Sequence, residues 1–182
     1  MAKLVSKTYG EALFEVAIEE QKADLFLKEA QDILAILDQN PELDKLMKHP
    51  KISKQEKTDI LDKVFQSNVS AEMTGFMKLL VNKERYSELP KIFLYLIDRI
   101  KEEKKIGVAF VTTAVELTEE KKTAVKNRLL ETTSYKTMEM HYEVDEAIIG
   151  GMIIRIKDRV VDSSVRTKLE EMKKQLLQIQ LG

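Results

Sequence analysis

The sequence predicts an α+β protein that is mostly helical, with a six-helix bundle over residues 1–105 and a small α/β domain over residues 106–182. Two observations support this prediction. Up to residue 105, apolar residues recur at helical spacing between short breaks, which is typical of a helical bundle. After Ile106-Gly107 the pattern becomes strand, helix, strand, strand, strand and helix, which is the order of a small α+β domain.

The composition excludes several functional classes. The 182 residues carry 30 basic and 31 acidic side chains, so broad electrostatic binding to nucleic acid or to an anionic membrane is not expected. The absence of cysteine excludes disulfides and thiolate chemistry. No run of 18 apolar residues occurs, and the periodic, acidic start resembles neither a signal nor a transit peptide. We therefore expect a protein that works in the compartment where it is made, a bacterial cytoplasm.

The first predicted helix, residues 4–20, has two apolar faces. One face packs in the bundle core, and the other is either covered within the bundle or binds a partner. The sequence alone leaves these alternatives open. The first face holds Tyr9, Ala12, Leu13 and Val16, and nearly opposite lie Leu4, Phe14 and Ile18.

Local signals place the remaining helices of the bundle. Asn40 is expected to cap the third helix, Ser53 and Glu56 form a capping box, and Ser70 opens the fifth helix. Pro90 falls in the first turn of the sixth helix, where it is tolerated. The predicted helices after the first are 22–39, 41–47, 54–66, one from residue 70 and one from about residue 86 into the charged run 101–105.

The second domain begins with a strand from residue 106 and a helix from Thr118, the expected cap, to about residue 132. Residues 137–144 alternate as a second strand. A hairpin starting near Ile148 supplies two more strands, and Gly150-Gly151 marks a bulge or a close backbone approach. A final amphipathic helix, 164–181, is expected to be capped by Asp162 or Ser163. Its apolar residues are Val165, Leu169, Met172, Leu176, Leu177 and Ile179.

No catalytic, cofactor or metal site is predicted. His49 and His141 each lack a second ligand at metal spacing, and Ser163-Ser164 lacks the glycines of a nucleophile elbow. Gly150-Gly151 lacks the spacing of a phosphate-binding loop. These exclusions leave a protein–protein adaptor, with a nucleic-acid-associated α+β adaptor as the alternative.

The strongest sequence signature lies in the hairpin and the start of the last helix. It runs Ile149-Gly150-Gly151-Met152-Ile153-Ile154-Arg155-Ile156, then Asp158-Arg159-Val160-Val161-Asp162-Ser163-Ser164-Val165-Arg166, then Leu169. A second match is Tyr9-Gly10-Glu11-Ala12-Leu13-Phe14 in the first helix. In order and spacing, these segments resemble the delta-subunit family of F-type ATP synthases, relatives of the mitochondrial oligomycin-sensitivity-conferring protein.

The resemblance implies a non-catalytic stator subunit that joins the α/β catalytic head to the peripheral stalk. It places the amino-terminal helix of an α subunit in a groove between the first and fifth helices. The implied contact residues are Tyr9, Ala12, Leu13 and Val16 of the first helix and Phe76, Leu79 and Leu80 of the fifth. The second domain would bind the ends of the b subunits through the final helix and hairpin. No cofactor is expected, and the resemblance implies a peripheral position on the cytoplasmic face of the cell membrane as part of the complex.

Overall fold

The computed structural model describes residues 2–65 and 69–180, which fall into two compact units, 1–101 and 102–182. The first unit is helical, and the second holds a four-stranded sheet with two helices. The predicted fold class, α+β and mostly helical, is confirmed.

The helices of the first unit lie close to the predicted ranges. A short 3₁₀ turn at Tyr86–Glu88 precedes the last of them. The predicted end of the fourth helix at residue 66 lies outside the described residues. The helices are α1 Ala2–Glu19, α2 Ala23–Gln39, α3 Pro41–Lys48, α4 Lys54–Phe65, α5 Ala71–Asn82 and α6 Leu89–Glu103.

One continuous core joins these helices. It is built from large side chains with essentially no solvent exposure, so most of the stability of the first unit comes from apolar burial rather than from helix propensity. Its fully buried members include Phe26, Ile33, Met47, Leu61, Phe65, Met73, Met77, Leu80, Phe93 and Leu96.

Three helix caps were predicted, and two are confirmed. Ser53 and Glu56 exchange hydrogen bonds as a capping box: the Ser53 amide donates to Glu56 at 2.9 Å and the Glu56 amide donates to Ser53 Oγ at 3.2 Å. Ser70 Oγ accepts from the amide of Met73 at 3.4 Å. The prediction that the Asn40 side chain caps α3 was wrong. Asn40 precedes α3, but its side-chain amide donates to the carbonyl of Ile36 in α2 and makes no capping hydrogen bond to α3.

Glu29 of α2 fixes the start of α5. Glu29 is 5% exposed, and its carboxylate accepts hydrogen bonds from both the amide and the hydroxyl of Ser70, each at 2.7 Å. The two bonds satisfy a carboxylate that would be costly to bury alone. They hold the amino-terminal end of α5 against α2.

The second unit contains a four-stranded sheet and two further α-helices among the described residues. Its elements are β1 Ile106–Thr113, α7 Glu119–Thr132, β2 Thr137–Val144, β3 Met152–Ile156, β4 Arg159–Asp162 and α8 Val165–Gln180. The sheet has the order β2-β1-β3-β4. β1 and β2 are parallel and connected through α7, whereas β3 pairs antiparallel with both β1 and β4. The predicted last residue of the final helix, residue 181, lies outside the described residues.

The entry into the hairpin differs from the prediction. Ile148 ends a 3₁₀ turn, Glu146–Ile148, and Ile149 has a φ of 67°, so the strand begins only at Met152. The close backbone approach predicted here is confirmed at Gly151. Its φ is +78°, and an added Cβ would lie 2.3 Å from the carbonyl oxygen of Ser163.

The two caps predicted in the second unit have different outcomes. Thr118 occupies the predicted N-cap position of α7, although its side chain makes no capping hydrogen bond. Ser164, rather than Ser163, caps α8, because its Oγ accepts from the Thr167 amide at 3.2 Å. Asp162 supports this cap by accepting from the Ser164 amide at 2.8 Å, and this bond lowers the pKa of its carboxyl group.

Candidate functional site

One side of α1 faces the bundle core. Leu13 and Phe14 are 4% and 7% exposed, and Ala17 is fully buried. The sequence left open whether the face that carries Phe14 is covered within the bundle, and the structure shows that Phe14 is covered. The guanidinium of Arg99 lies 4.5 Å from the centre of the Phe14 ring, so α6 covers this side chain.

The other side of α1 remains accessible. Tyr9 and Val16 are half-buried, and Ala12 between them is exposed. Their spacing of three and then four residues places all three on one stripe of the helix. The described residues therefore cover this apolar stripe of α1 only in part.

α5 meets this stripe through an aromatic contact. The rings of Tyr9 and Phe76 are 6.4 Å apart with an interplanar angle of 68°, an edge-to-face arrangement. Phe76 also stacks on Phe93 of α6 at 6.3 Å. Leu79, three residues further along α5, is 42% exposed. We call Tyr9, Ala12, Val16, Phe76 and Leu79 together the α1/α5 surface.

Two of the predicted contact residues lie beneath this surface rather than on it. Leu13 is 4% exposed and Leu80 is 0% exposed, and both belong to the core. They belong to the core beneath the α1/α5 surface and have little or no area accessible to a partner. Helical periodicity alone could not separate them from their accessible neighbours.

Polar contacts hold α1 on both flanks. Just beyond the end of α1, the Lys22 ammonium pairs with Glu20 and with Glu72 in the first turn of α5. The bond to Lys22 lowers the pKa of the Glu72 carboxyl group. Because the end of α1 meets the start of α5, these two helices run in opposite directions.

On the other flank, Glu11 binds α6. Its carboxylate accepts from the Tyr95 hydroxyl at 2.7 Å and from the Arg99 guanidinium at 3.4 Å. The bond from Tyr95, followed by that from Arg99, lowers the pKa of the Glu11 carboxyl group. This contact was not predicted, since no local signal links Glu11 to Tyr95 and Arg99, which lie 84 and 88 positions further along the chain.

α8 carries a second apolar surface. All side chains from residue 168 to residue 178 are exposed, so this helix packs very little against its own unit. Val165, Leu169, Met172 and Leu176 recur at alternating steps of four, three and four residues, which is the spacing of a helix–helix seam. Leu169, Met172, Leu176 and Leu177 are 52%, 58%, 63% and 50% exposed. We call these residues, with Val165, the α8 stripe.

The two histidines have structural neighbours. His49 Nδ1 accepts from the Lys51 amide at 3.2 Å, and His141 stacks on Phe110 at 4.9 Å. Within residues 2–65 and 69–180, no group of three or more acidic, histidine or cysteine side chains could hold a metal ion. No helix in those ranges is long and apolar enough to cross a membrane.

Comparison with known proteins identifies the family. The model of the family "ATP synthase delta (OSCP) subunit" matches residues 5–176, nearly the whole chain. The chain belongs to this family. The match to the delta (OSCP) family includes most of α1, all of α5 and the hairpin, and most of α8, so the α1/α5 surface and all of the α8 stripe except Leu177 lie within it.

Relatives within the delta family match along their full length. The ATP synthase subunit delta of Lachnoclostridium phytofermentans is 49% identical over 182 residues and covers 100% of both chains. That of Brevibacillus brevis is 35% identical over 93% of this chain and 97% of its own. A chain of the mitochondrial ATP synthase hexamer of Toxoplasma gondii shares the fold, with a TM-score of 0.75, 17% identity, and 94% and 97% coverage.

Proposed function

We infer that the chain acts as a non-catalytic stator subunit of an F-type ATP synthase, joining the catalytic α/β head to the peripheral stalk. The supporting observation is the match to the delta family over residues 5–176, together with one apolar surface on each unit that the described residues leave partly or largely exposed. A connector that resists torque needs two separate binding surfaces rather than a reactive site. The alternative of a nucleic-acid-associated adaptor is not supported, and the net charge of −1 also argues against it.

The α1/α5 surface binds the amino-terminal helix of an α subunit. A guest helix presents anchors at positions i, i+3, i+4 and i+7, and the α1 stripe offers matching apolar contacts. The rings of Tyr9 and Phe76 contact each other edge to face, and aromatic side chains are enriched at protein interfaces. Ala12 is small and exposed, so the guest can approach α1 closely at this point.

The α8 stripe binds the carboxyl-terminal ends of the b subunits. Its heptad-like spacing fits another helix laid along it, because such seams are buried by knobs-into-holes packing. The exposed Val160 and Val161 of β4 add apolar area in the same unit at 58% and 60% exposure. Through these two partners the chain lies on the cytoplasmic face of the membrane as a peripheral member of the complex.

A bridging assay tests this function. The b ends are immobilised, and retention of the catalytic head is measured with and without the full chain. We expect the head to be retained only when the chain is present. Leu79→Glu should release the head while the chain stays bound, and Met172→Glu should release both.

The matched control is Gln31→Glu, which adds the same charge at an exposed position of α2. It should bridge as well as the wild type. Equal retention of the head with and without the chain would contradict the stator function. Normal bridging by Leu79→Glu would contradict only the assignment of the α1/α5 surface.

A further inference from the structure

The charged residues that flank the α8 stripe are all basic. In a heptad written abcdefg, Leu169 and Leu176 take position a, and Val165 and Met172 take position d. Positions e and g border such a seam, and their charges determine which partner helix is accepted. The bordering residues of α8 are Arg166 and Lys173 at position e and Lys168 and Gln175 at position g.

The two acidic residues of α8 lie away from the seam. Glu170 and Glu171 take positions b and c, on the outer side of the helix. Glu170 pairs with Arg166 at 3.3 Å and so occupies one of the flanking cations. Lys168 and Lys173 are exposed, and within residues 2–65 and 69–180 neither makes an ion pair. One ammonium group on each flank of the stripe is therefore available to a partner.

This charge pattern disfavours pairing between two copies of α8. In a parallel pair, position g of one helix faces position e of the other, which sets Lys168 against Lys173. In an antiparallel pair, g faces g and e faces e, which sets Lys168 against Lys168 and Arg166 against Lys173. Both directions oppose like charges, and such repulsion excludes a partner as effectively as attraction selects one.

We propose that the α8 stripe selects a partner helix whose apolar seam is flanked by Glu or Asp, and that it rejects a second copy of this chain. The inference rests on the proposed function of the α8 stripe, and it requires the b ends to carry acidic residues beside their seam. The apolar seam provides most of the affinity, because exposed ion pairs contribute little individually. The lysines provide the choice between partners.

The test uses the full chain and two synthetic helical peptides as probes. The peptides share one apolar a/d seam and differ only at positions e and g, which are Glu in one peptide and Lys in the other. In calorimetric titration at low ionic strength, we expect the Glu peptide to bind about tenfold or more tightly than the Lys peptide. The preference should shrink at about 1 M salt, where charges are screened within about 3 Å.

Charge reversal on the flanks should change this preference. Lys168→Glu and Lys173→Glu should each reduce it about fivefold, and the double variant should prefer the Lys peptide. The matched control is Lys174→Glu, because it makes the same charge change at position f on the outer side of α8. It should keep the wild-type preference. All of these residues are exposed, so each variant should melt within about 2 °C of the wild type.

The possible results separate this inference from the proposed function. If immobilised b ends do not retain the wild type, the proposed function of the α8 stripe fails, while the two peptides still test the charge selection. If the b ends retain the wild type and the double variant equally well, the function stands and the inference is wrong. Equal binding of the two peptides, binding of neither, or an equal effect of Lys174→Glu would also overturn it. Sedimentation should show a monomer, and a dimer that Leu169→Glu dissociates would contradict the rejection of a second copy.

Discussion

Leu13 and Leu79 provide a direct comparison between a core residue and a surface residue of the same type. Leu13 is 4% exposed and belongs to the core, whereas Leu79 is 42% exposed and borders the α1/α5 surface. The family resemblance assigns both to partner binding. The structure separates them, and truncating each to alanine should therefore affect different properties.

The magnitudes follow from burial. Leu13→Ala removes an almost fully buried side chain, so it should lower the free energy of unfolding by about 3 kcal/mol, from lost transfer energy and the cavity left behind. In a chain of this length that corresponds to a fall in melting temperature of roughly 6–12 °C. Leu79→Ala removes a side chain of a residue that is already 42% exposed, so the cost should be about 1 kcal/mol or less.

Urea unfolding followed by circular dichroism measures both values, and peptide titration at low temperature measures affinity for the folded state. We expect Leu79→Ala to bind the α-subunit peptide about tenfold more weakly, the loss that corresponds to 1.4 kcal/mol. Where it is folded, Leu13→Ala should bind the peptide with an affinity closer to that of the wild type than Leu79→Ala does. Equal destabilisation by the two variants would refute the reasoning from burial.

Three further predictions concern α1, Glu11 and α8. Gly10→Ala should lower the free energy of unfolding by about 1–3 kcal/mol in urea, because the new Cβ would lie 2.4 Å from the Tyr95 ring; unchanged stability would mean that α1 and α6 can separate freely. Glu11 has a pKa lowered by Tyr95 and then Arg99, so its stabilisation is present above the ordinary carboxyl pKa and is lost as pH falls through the lowered value. Glu11→Gln should therefore lose less stability than the wild type between about pH 5 and about pH 3, and parallel pH curves would contradict this. Met172→Ser should leave the free energy of unfolding within about 0.5 kcal/mol of the wild type, because the residue is 58% exposed, yet weaken retention on immobilised b ends; undiminished retention would remove Met172 from the interface.

The sequence predicts the elements well because their signals are local. Helical periodicity, the capping box at Ser53 and the change of period at Ile106 each depend on residues within one or two turns. The hairpin entry was predicted less well. Ile148 and Ile149 have strand-forming side chains, but the Asp145 carboxylate accepts from the Ala147 amide and favours a turn instead.

The accessible faces could not be predicted, because they depend on contacts between distant residues. Periodicity finds two apolar faces on α1 but cannot tell which one α6 covers. Arg99 over Phe14 and Tyr95 against Glu11 determine the answer, and both belong to a helix more than 80 residues away. For the same reason Leu13 was not recognised as a core residue.

The measurement that tests the central claim most directly is calorimetric titration of the full chain with a synthetic peptide of the α-subunit amino-terminal helix, repeated with Leu79→Ala. The stator function predicts one-to-one binding by the wild type and binding about tenfold weaker by the variant. No heat of binding from a correctly folded wild type would contradict the proposed role of the α1/α5 surface.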